Sequence, residues 1–214
     1  MIISKPDGSG WLLQGGTAKL KLRAALPGAR VFDLAADSLR KARAAGLSIA
    51  DRLPLALPAS WCVNSPAPST VLRRWALPPQ REVWLSLVEV LEEPLQGPLD
   101  AESREAMLAG IRVLGPEAHG VEAISKVLAL LVPDAVPLMP LPARAFVLGE
   151  SAPEDARAFV AMIEWFAGAV QQGRTELASW AEAHEEVPLS AAQVLDRLLW
   201  FDSEGHRHFP GKIS

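Results

Sequence analysis

A largely apolar stretch without glycine or proline extends from Val121 to Val132, near the middle of the chain. A turn at His119-Gly120 precedes it, and a proline-rich segment from Pro133 to Pro142 follows it. A helix that is apolar almost all round has to be buried among other elements. We therefore expect a buried central helix, a tight return, and a second helix over Ala143 to Leu148.

Most of the remaining chain repeats apolar residues at spacings of three and four, which is typical of amphipathic helices. Asp100 is a side chain that commonly caps a helix, and so is Ser151, which has Glu154 three residues later as in a capping box. The sequence thus predicts a mostly α protein, formed as a single globular helical domain over residues 1–214. The predicted helices cover residues 31–45, 81–91, 102–114, 121–132, 154–170, 174–184 and 189–201.

The two chain ends are predicted to lie outside this helical body. Residues 1–26 form a short N-terminal arm with β character, and residues 202–214 form a polar tail. Within the arm, Thr17–Leu26 alternates apolar and basic residues, which favours a strand, although its Ala and Lys content favours a helix. We predict a strand there, followed by a turn at Pro27-Gly28 and, further on, an irregular proline-rich connection over residues 54–68.

Charge and composition limit the possible functions. The chain has 21 Lys and Arg against 25 Asp and Glu, whereas a dedicated nucleic-acid-binding protein usually has a basic balance. The single cysteine, Cys62, excludes an internal disulfide. No apolar run reaches the ~18 residues of a membrane span, and the N-terminus lacks the apolar core of a signal peptide. We expect a cytoplasmic protein without membrane association.

Familiar catalytic and cofactor motifs are absent from the sequence, which contains no phosphate loop, Rossmann fingerprint, His-Glu-x-x-His or paired cysteines. His206 and His208 alternate with Asp202 and Glu204, so an extended strand would place four possible zinc ligands on one side. A solvated chain end is the simpler interpretation. We predict no catalytic residue, no metal and no other cofactor.

Basic residues are densest at Arg73-Arg74 and at Arg40, Lys41 and Arg43. These side chains would contact phosphates if they met on one surface. A run of like charge is more often a solvated face, and the acidic total favours that interpretation.

The segment from Gly115 to Gly149 resembles the helix-hairpin-helix core of DNA glycosylases and of uncharacterised bacterial proteins with a related helical core. The likeness rests on the stretch HGVEAISKVLALLVPDAVPL, with a turn at Gly120, a lysine at Lys126 and a return after Pro133. The resemblance implies that amides at the Gly120 turn contact a DNA phosphate. Lys126, Arg73 and Arg74 are the further candidate nucleic-acid contacts.

Two departures from that pattern argue against its chemistry. Glu122 stands where a second glycine is expected, and its carboxylate would repel a phosphate. Neither Met139 nor Pro140 is acidic, although the resembled glycosylases place an aspartate after the return, so we expect no base excision. The favoured function is a non-catalytic protein that binds a partner protein, of a regulatory, defence or immunity type. The alternatives are a degenerate helix-hairpin-helix protein that still touches DNA and an enzyme with an unrecognised site.

Overall fold

The computed structural model describes residues 1–60, 77–93, 95, 97–116, 120–149, 152–182 and 189–205, without the side chains of 24–28, 58, 204 and 205. This part of the chain is mostly helical with short N-terminal strands, as the sequence predicts. Its elements in chain order are β1 (Ile2–Ser4), β2 (Gly10–Leu12), α1 (Gly15–Ala44), α2 (Ile49–Ala59), α3 (Gln80–Leu91), α4 (Ala101–Leu114), α5 (Val121–Leu131), α6 (Leu141–Leu148), α7 (Ala156–Gln172), α8 (Arg174–Ala181), α9 (Ala191–Trp200) and a π-helix (Phe201–Gly205).

Helix α5 is the predicted central helix, and it is buried almost all round. Leu128 has no exposed surface and Leu131 is 4% exposed, which confirms the predicted burial of the central helix. Helices α1, α2 and α7 pack against α5. No helix in the described ranges combines the length and apolar character needed to cross a membrane.

The predicted boundaries of α4 are confirmed at both ends. The Asp100 carboxylate accepts a hydrogen bond from the Ser103 backbone N–H at 2.7 Å, as a capping side chain should. At the other end Gly115 has a φ of 72°, a left-handed conformation that glycine adopts without a steric penalty.

Helix α1 corrects the prediction for the N-terminal arm. The chain is helical from Gly15 to Ala44, so the strand predicted at Thr17–Leu26 and the turn predicted at Pro27-Gly28 are wrong. Ala18 and Leu22, one helical turn apart, are both buried, and α1 packs against α2, α5 and α9. These tertiary contacts outweigh the local preference of Pro and Gly for a turn. The extended arm is therefore limited to residues 1–14.

Two further predicted boundaries are also corrected. Helix α2 includes Pro54 and ends at Ala59, because Leu53 and Ala56 anchor it in the core, so the irregular connection does not begin at residue 54. The predicted polar tail begins too early, since Asp202 lies in the π-helix. Its carboxylate accepts hydrogen bonds from Trp11 Nε1 and Lys21 Nζ, both at 2.8 Å.

The two-stranded sheet is attached to α7 through side chains. Strands β1 and β2 pair antiparallel, with Ile2 opposite Leu12. On the other edge of β1, the Gln172 amide donates to Ile2 O at 2.8 Å and accepts from Ser4 N–H at 3.4 Å, much as a third strand would. Trp165 Nε1 also donates to Ser4 O, at 2.9 Å. These contacts fix the position of the sheet relative to α7.

Candidate functional site

The carboxylate of Glu154 lies against the turn before α5. Gly120 caps the helix with a φ of 84°, and the next amide, Val121 N–H, donates to Glu154 Oε2 at 3.0 Å. The fully buried Arg144 guanidinium pairs with the Glu154 carboxylate and donates to Met139 O at 2.9 Å. A helix N-terminus attracts negative charge, and here a carboxylate of the same chain provides it.

Glu154 does not form part of a capping box, although the sequence predicted that it would. Helix α7 begins at Ala156, and its capping side chain is Asp155, which accepts from Ala158 N–H at 2.9 Å. The Glu154 side chain instead reaches α5, 33 residues earlier in the chain. Ser151, the predicted cap, lies outside the described residues.

Lys126, predicted as a DNA contact, lies inside the protein. Its side chain is 6% exposed, and its ammonium is 2.6 Å from the Glu122 carboxylate one turn earlier. Ser125 joins the same region to the return, since its hydroxyl donates to Glu122 O and accepts from Met139 N–H. The charge of Lys126 is thus balanced by the glutamate that the sequence presents in place of glycine.

A buried ion network supports the return between α5 and α6. The Asp196 carboxylate accepts from Leu138 N–H at 3.0 Å and pairs with Arg197, which also pairs with Asp33 of α1 at 2.7 Å. Burial raises the pKa of Asp196 to about 6, against the opposing effect of the Arg197 charge. This network connects α1, α9 and the return, and its groups are fully engaged with one another.

Among the basic candidates that the structure describes, Arg40, Lys41 and Arg43 do not converge on the Gly120 turn. Arg40 donates to Gln193 Oε1 at 2.6 Å, Lys41 pairs with Asp37, and Arg43 pairs with Glu92. Arg40 and Arg43 line a small cavity with residues 131–134, at the C-terminal end of α5. Gly120 lies at the other end of that eleven-residue helix, about 16 Å away along its axis.

Several predicted residues lie outside the described ranges: Cys62, Arg73, Arg74, His119, His206 and His208. Within those ranges, no group of three or more His, Cys, Asp and Glu side chains is arranged to hold a metal ion.

An open groove lies beside α7, and we call it the α7 groove. It has a volume of about 490 Å³, within the range of about 300–1,000 Å³ typical of ligand sites. One wall is β1 and the turn after it, and the other is the start of α4. The floor is a run of mostly small residues of α7 together with one indole: Ala161, Trp165, Gly168 and Ala169.

Gly168 is the most informative residue of the groove. A Cβ atom built on it would meet no other atom within 4 Å, and its φ is not positive. Neither packing nor backbone conformation therefore requires glycine, although glycine inside a helix costs roughly 1 kcal/mol relative to alanine. Because glycine has no side chain, nothing projects from the helix at this position and the floor of the groove is flat. The sequence signal for this position is an isolated glycine inside an apolar helix.

Three charged side chains line the groove: Lys5, Arg104 and Glu164. Glu164 Oε1 accepts from Arg104 Nη2 at 2.7 Å and from Leu99 N–H at 3.1 Å. Lys5, on the sheet side, lies 3.7 Å from the centroid of the Phe146 ring and adds positive charge at one end.

Comparisons with known proteins add no further constraint: no family model matches the chain, and no match was found among curated proteins or solved structures. The resemblance of Gly115–Gly149 to helix-hairpin-helix proteins therefore stays a prediction.

Proposed function

We propose that this protein is a non-catalytic, cytoplasmic binding protein that holds a segment of a partner protein in the α7 groove. The observation that carries the proposal is Gly168, which lowers the stability of α7 and in return leaves the floor of the groove flat. The rigid walls support binding, because α7 and the sheet are joined by the hydrogen bonds of Gln172 and Trp165.

The dimensions of the groove indicate what kind of segment it accepts. The lining residues of α7 extend from Ala161 to Gln172, which are eleven residue steps or about 16 Å apart along the helix. That length accommodates about five residues of an extended chain or three turns of a helix. Apolar side chains suit the floor, and an acidic residue suits the Lys5 end.

A DNA-associated role is the second candidate, because Gly120 has a positive φ and forms the turn before a buried helix. Glu154 argues against it. An incoming phosphate would have to displace a carboxylate that is tethered beside the amide and paired with Arg144.

The test is a selection from a phage-displayed peptide library with the purified protein, followed by binding assays on three proteins. Gly168→Leu places a branched side chain over the floor, whereas Gly168→Ala adds one methyl group in open space. We expect the enriched peptides to bind the unmodified protein and Gly168→Ala alike, and to lose at least about tenfold in affinity for Gly168→Leu.

Circular dichroism melts of the three proteins separate loss of binding from loss of folding. Failure to enrich any peptide, or enrichment of peptides that bind Gly168→Leu as tightly as the unmodified protein, would contradict the proposal.

A further inference from the structure

A second surface, on helix α1, has the composition of an interaction surface. We call it the α1 outer face and define it by six exposed residues: Lys19, Leu20, Arg23, Arg30, Val31 and Leu34. At 3.6 residues per turn these positions fall on one side of the helix. The opposite side, which includes Ala18, Leu22 and Phe32, is buried.

Three apolar side chains of the α1 outer face are about half exposed. Leu20 is 51%, Val31 56% and Leu34 46% exposed. Single exposed apolar residues are ordinary, but these three share one face of one helix. A partner that covered them would remove apolar surface from water.

The charge of the α1 outer face has one sign. Its three ionisable residues are Lys19, Arg23 and Arg30, in a chain with a net charge of -4. The two aspartates of α1, Asp33 and Asp37, are not part of this face; they are buried and paired with basic residues. Lys19 and Arg23 have no carboxylate partner among the described residues. The face therefore presents positive charge beside apolar groups.

We propose that the α1 outer face binds an acidic amphipathic helix of a partner protein. Apolar positions of such a helix would cover Leu20, Val31 and Leu34, while flanking glutamates would pair with Lys19 and Arg23, as in the seams and flanks of coiled coils. From Lys19 to Leu34 the face is about 23 Å long, or four helical turns. Duplex DNA fits less well, because phosphates gain nothing from exposed leucine and valine.

This interaction is independent of the proposed function. No residue of α1 lines the α7 groove. A peptide selected for the groove and an acidic helix bound to α1 are therefore distinguishable, because Gly168→Leu affects the first and substitutions in α1 affect the second.

The probe is a synthetic helical peptide of about 20 residues with leucines along one seam and glutamates on both flanks. Its controls are a scrambled peptide of the same composition, a duplex DNA of about 20 base pairs, and vesicles containing phosphatidylserine. Binding is measured by fluorescence anisotropy, with co-sedimentation for the vesicles, at low and physiological salt. We expect the amphipathic peptide to bind at least about tenfold tighter than the scrambled one, with affinity falling as salt rises.

Substitutions locate the binding surface. Lys19→Glu combined with Arg23→Glu should weaken binding at least about tenfold, since each change replaces an attraction with a repulsion. Val31→Ser should weaken it several-fold, whereas Val90→Ser on α3 should not, although both valines are 56% exposed. Equal binding of the scrambled peptide, tighter binding of the duplex or the vesicles, or equal losses for Val31→Ser and Val90→Ser would overturn the proposal.

Discussion

At the scale of single residues, the Glu154 carboxylate takes the position where a phosphate would meet the N-terminus of α5. It accepts the Val121 amide hydrogen, and it balances the buried guanidinium of Arg144. A helix N-terminus does not distinguish between carboxylate and phosphate by charge alone. The carboxylate has the advantage of belonging to the chain. The entropy of holding it in place is lost during folding, whereas a free phosphate would lose its entropy on binding.

Neutralising Glu154 should therefore lower stability. In Glu154→Gln the acceptor for Val121 N–H remains, but Arg144 loses its counter-charge. Because the Glu154 side chain is 49% exposed, we expect a loss of only about 1–2 kcal/mol in urea unfolding rather than that of a fully buried pair. Glu105→Gln, at an exposed site on α4, is the control. Equal unfolding midpoints for the two variants would show that the contact does not stabilise the turn.

The centre of the core gives a second prediction at this scale. Leu128→Ala removes a side chain with no exposed surface and should cost about 2–5 kcal/mol. Leu141→Ala, at a residue that is 52% exposed, should cost much less. A loss below half a kcal/mol for Leu128→Ala would mean that α5 is peripheral.

At the scale of elements, the periodic helices were predictable and the exceptions have physical causes. The apolar residues recur at spacings of three and four, which fit a helix and not a strand, in α3, α4, α5, α7 and α9. The start of α1 has a short stretch that fits both strand and helix periods, and only the burial of Ala18 and Leu22 decides between them. The α7 groove depends on the contact between Gln172 and Ile2, which are 170 residues apart, so no local pattern predicts it.

Helix α7 provides a prediction that follows from the same glycine as the groove. Gly168→Ala should raise the free energy of unfolding by about 0.5–1 kcal/mol, because alanine is the better helix former and its methyl group meets open space. Thermal and urea melts measure the change. A destabilised Gly168→Ala protein would mean that glycine is needed there for folding.

The network between α1, α9 and the return makes stability depend on pH. The pKa of Asp196 is raised to about 6 in the folded protein, above its unfolded value of about 3.9. The folded state thus holds the proton of the Asp196 carboxyl group more tightly than the unfolded state does. The stabilisation that comes from this proton is complete below about pH 4 and is lost as pH rises through 6. Lowering the pH from 7 to 5 should stabilise the protein relative to Asp196→Asn, by at most about 1.4 kcal/mol per pH unit.

The comparison with Asp196→Asn isolates that carboxyl group. Asp7 and Asp100 have lowered pKa values, mainly because each accepts hydrogen bonds from a serine two or three residues later. These two carboxylates therefore stabilise the folded state as pH rises, the opposite of the effect of Asp196. Both are present in both proteins, so their effect cancels in the difference. Parallel curves of unfolding free energy against pH would contradict the burial effect at Asp196.

At the scale of the whole molecule, the two surfaces proposed for binding contain no residue of the segment that resembles helix-hairpin-helix proteins. The hairpin around α5 is occupied by the chain's own side chains, while the α7 groove and the α1 outer face have open positions. The sequence predicted a protein-binding role through the lack of catalytic motifs and the acidic balance. It did not predict the surface, because that surface is assembled by tertiary contacts.

Nuclear magnetic resonance of the ¹⁵N-labelled protein, titrated with a peptide selected from the library, tests the proposed function most directly. The Trp165 indole N–H and the amides of Gly168 and Ala169 report on the groove, and the amides of Gly120 and Val121 report on the hairpin turn. We expect saturable shifts of the groove signals, with the hairpin signals unchanged. Shifts confined to Gly120 and Val121, or the same hairpin shifts on addition of duplex DNA with the groove unaffected, would contradict this expectation.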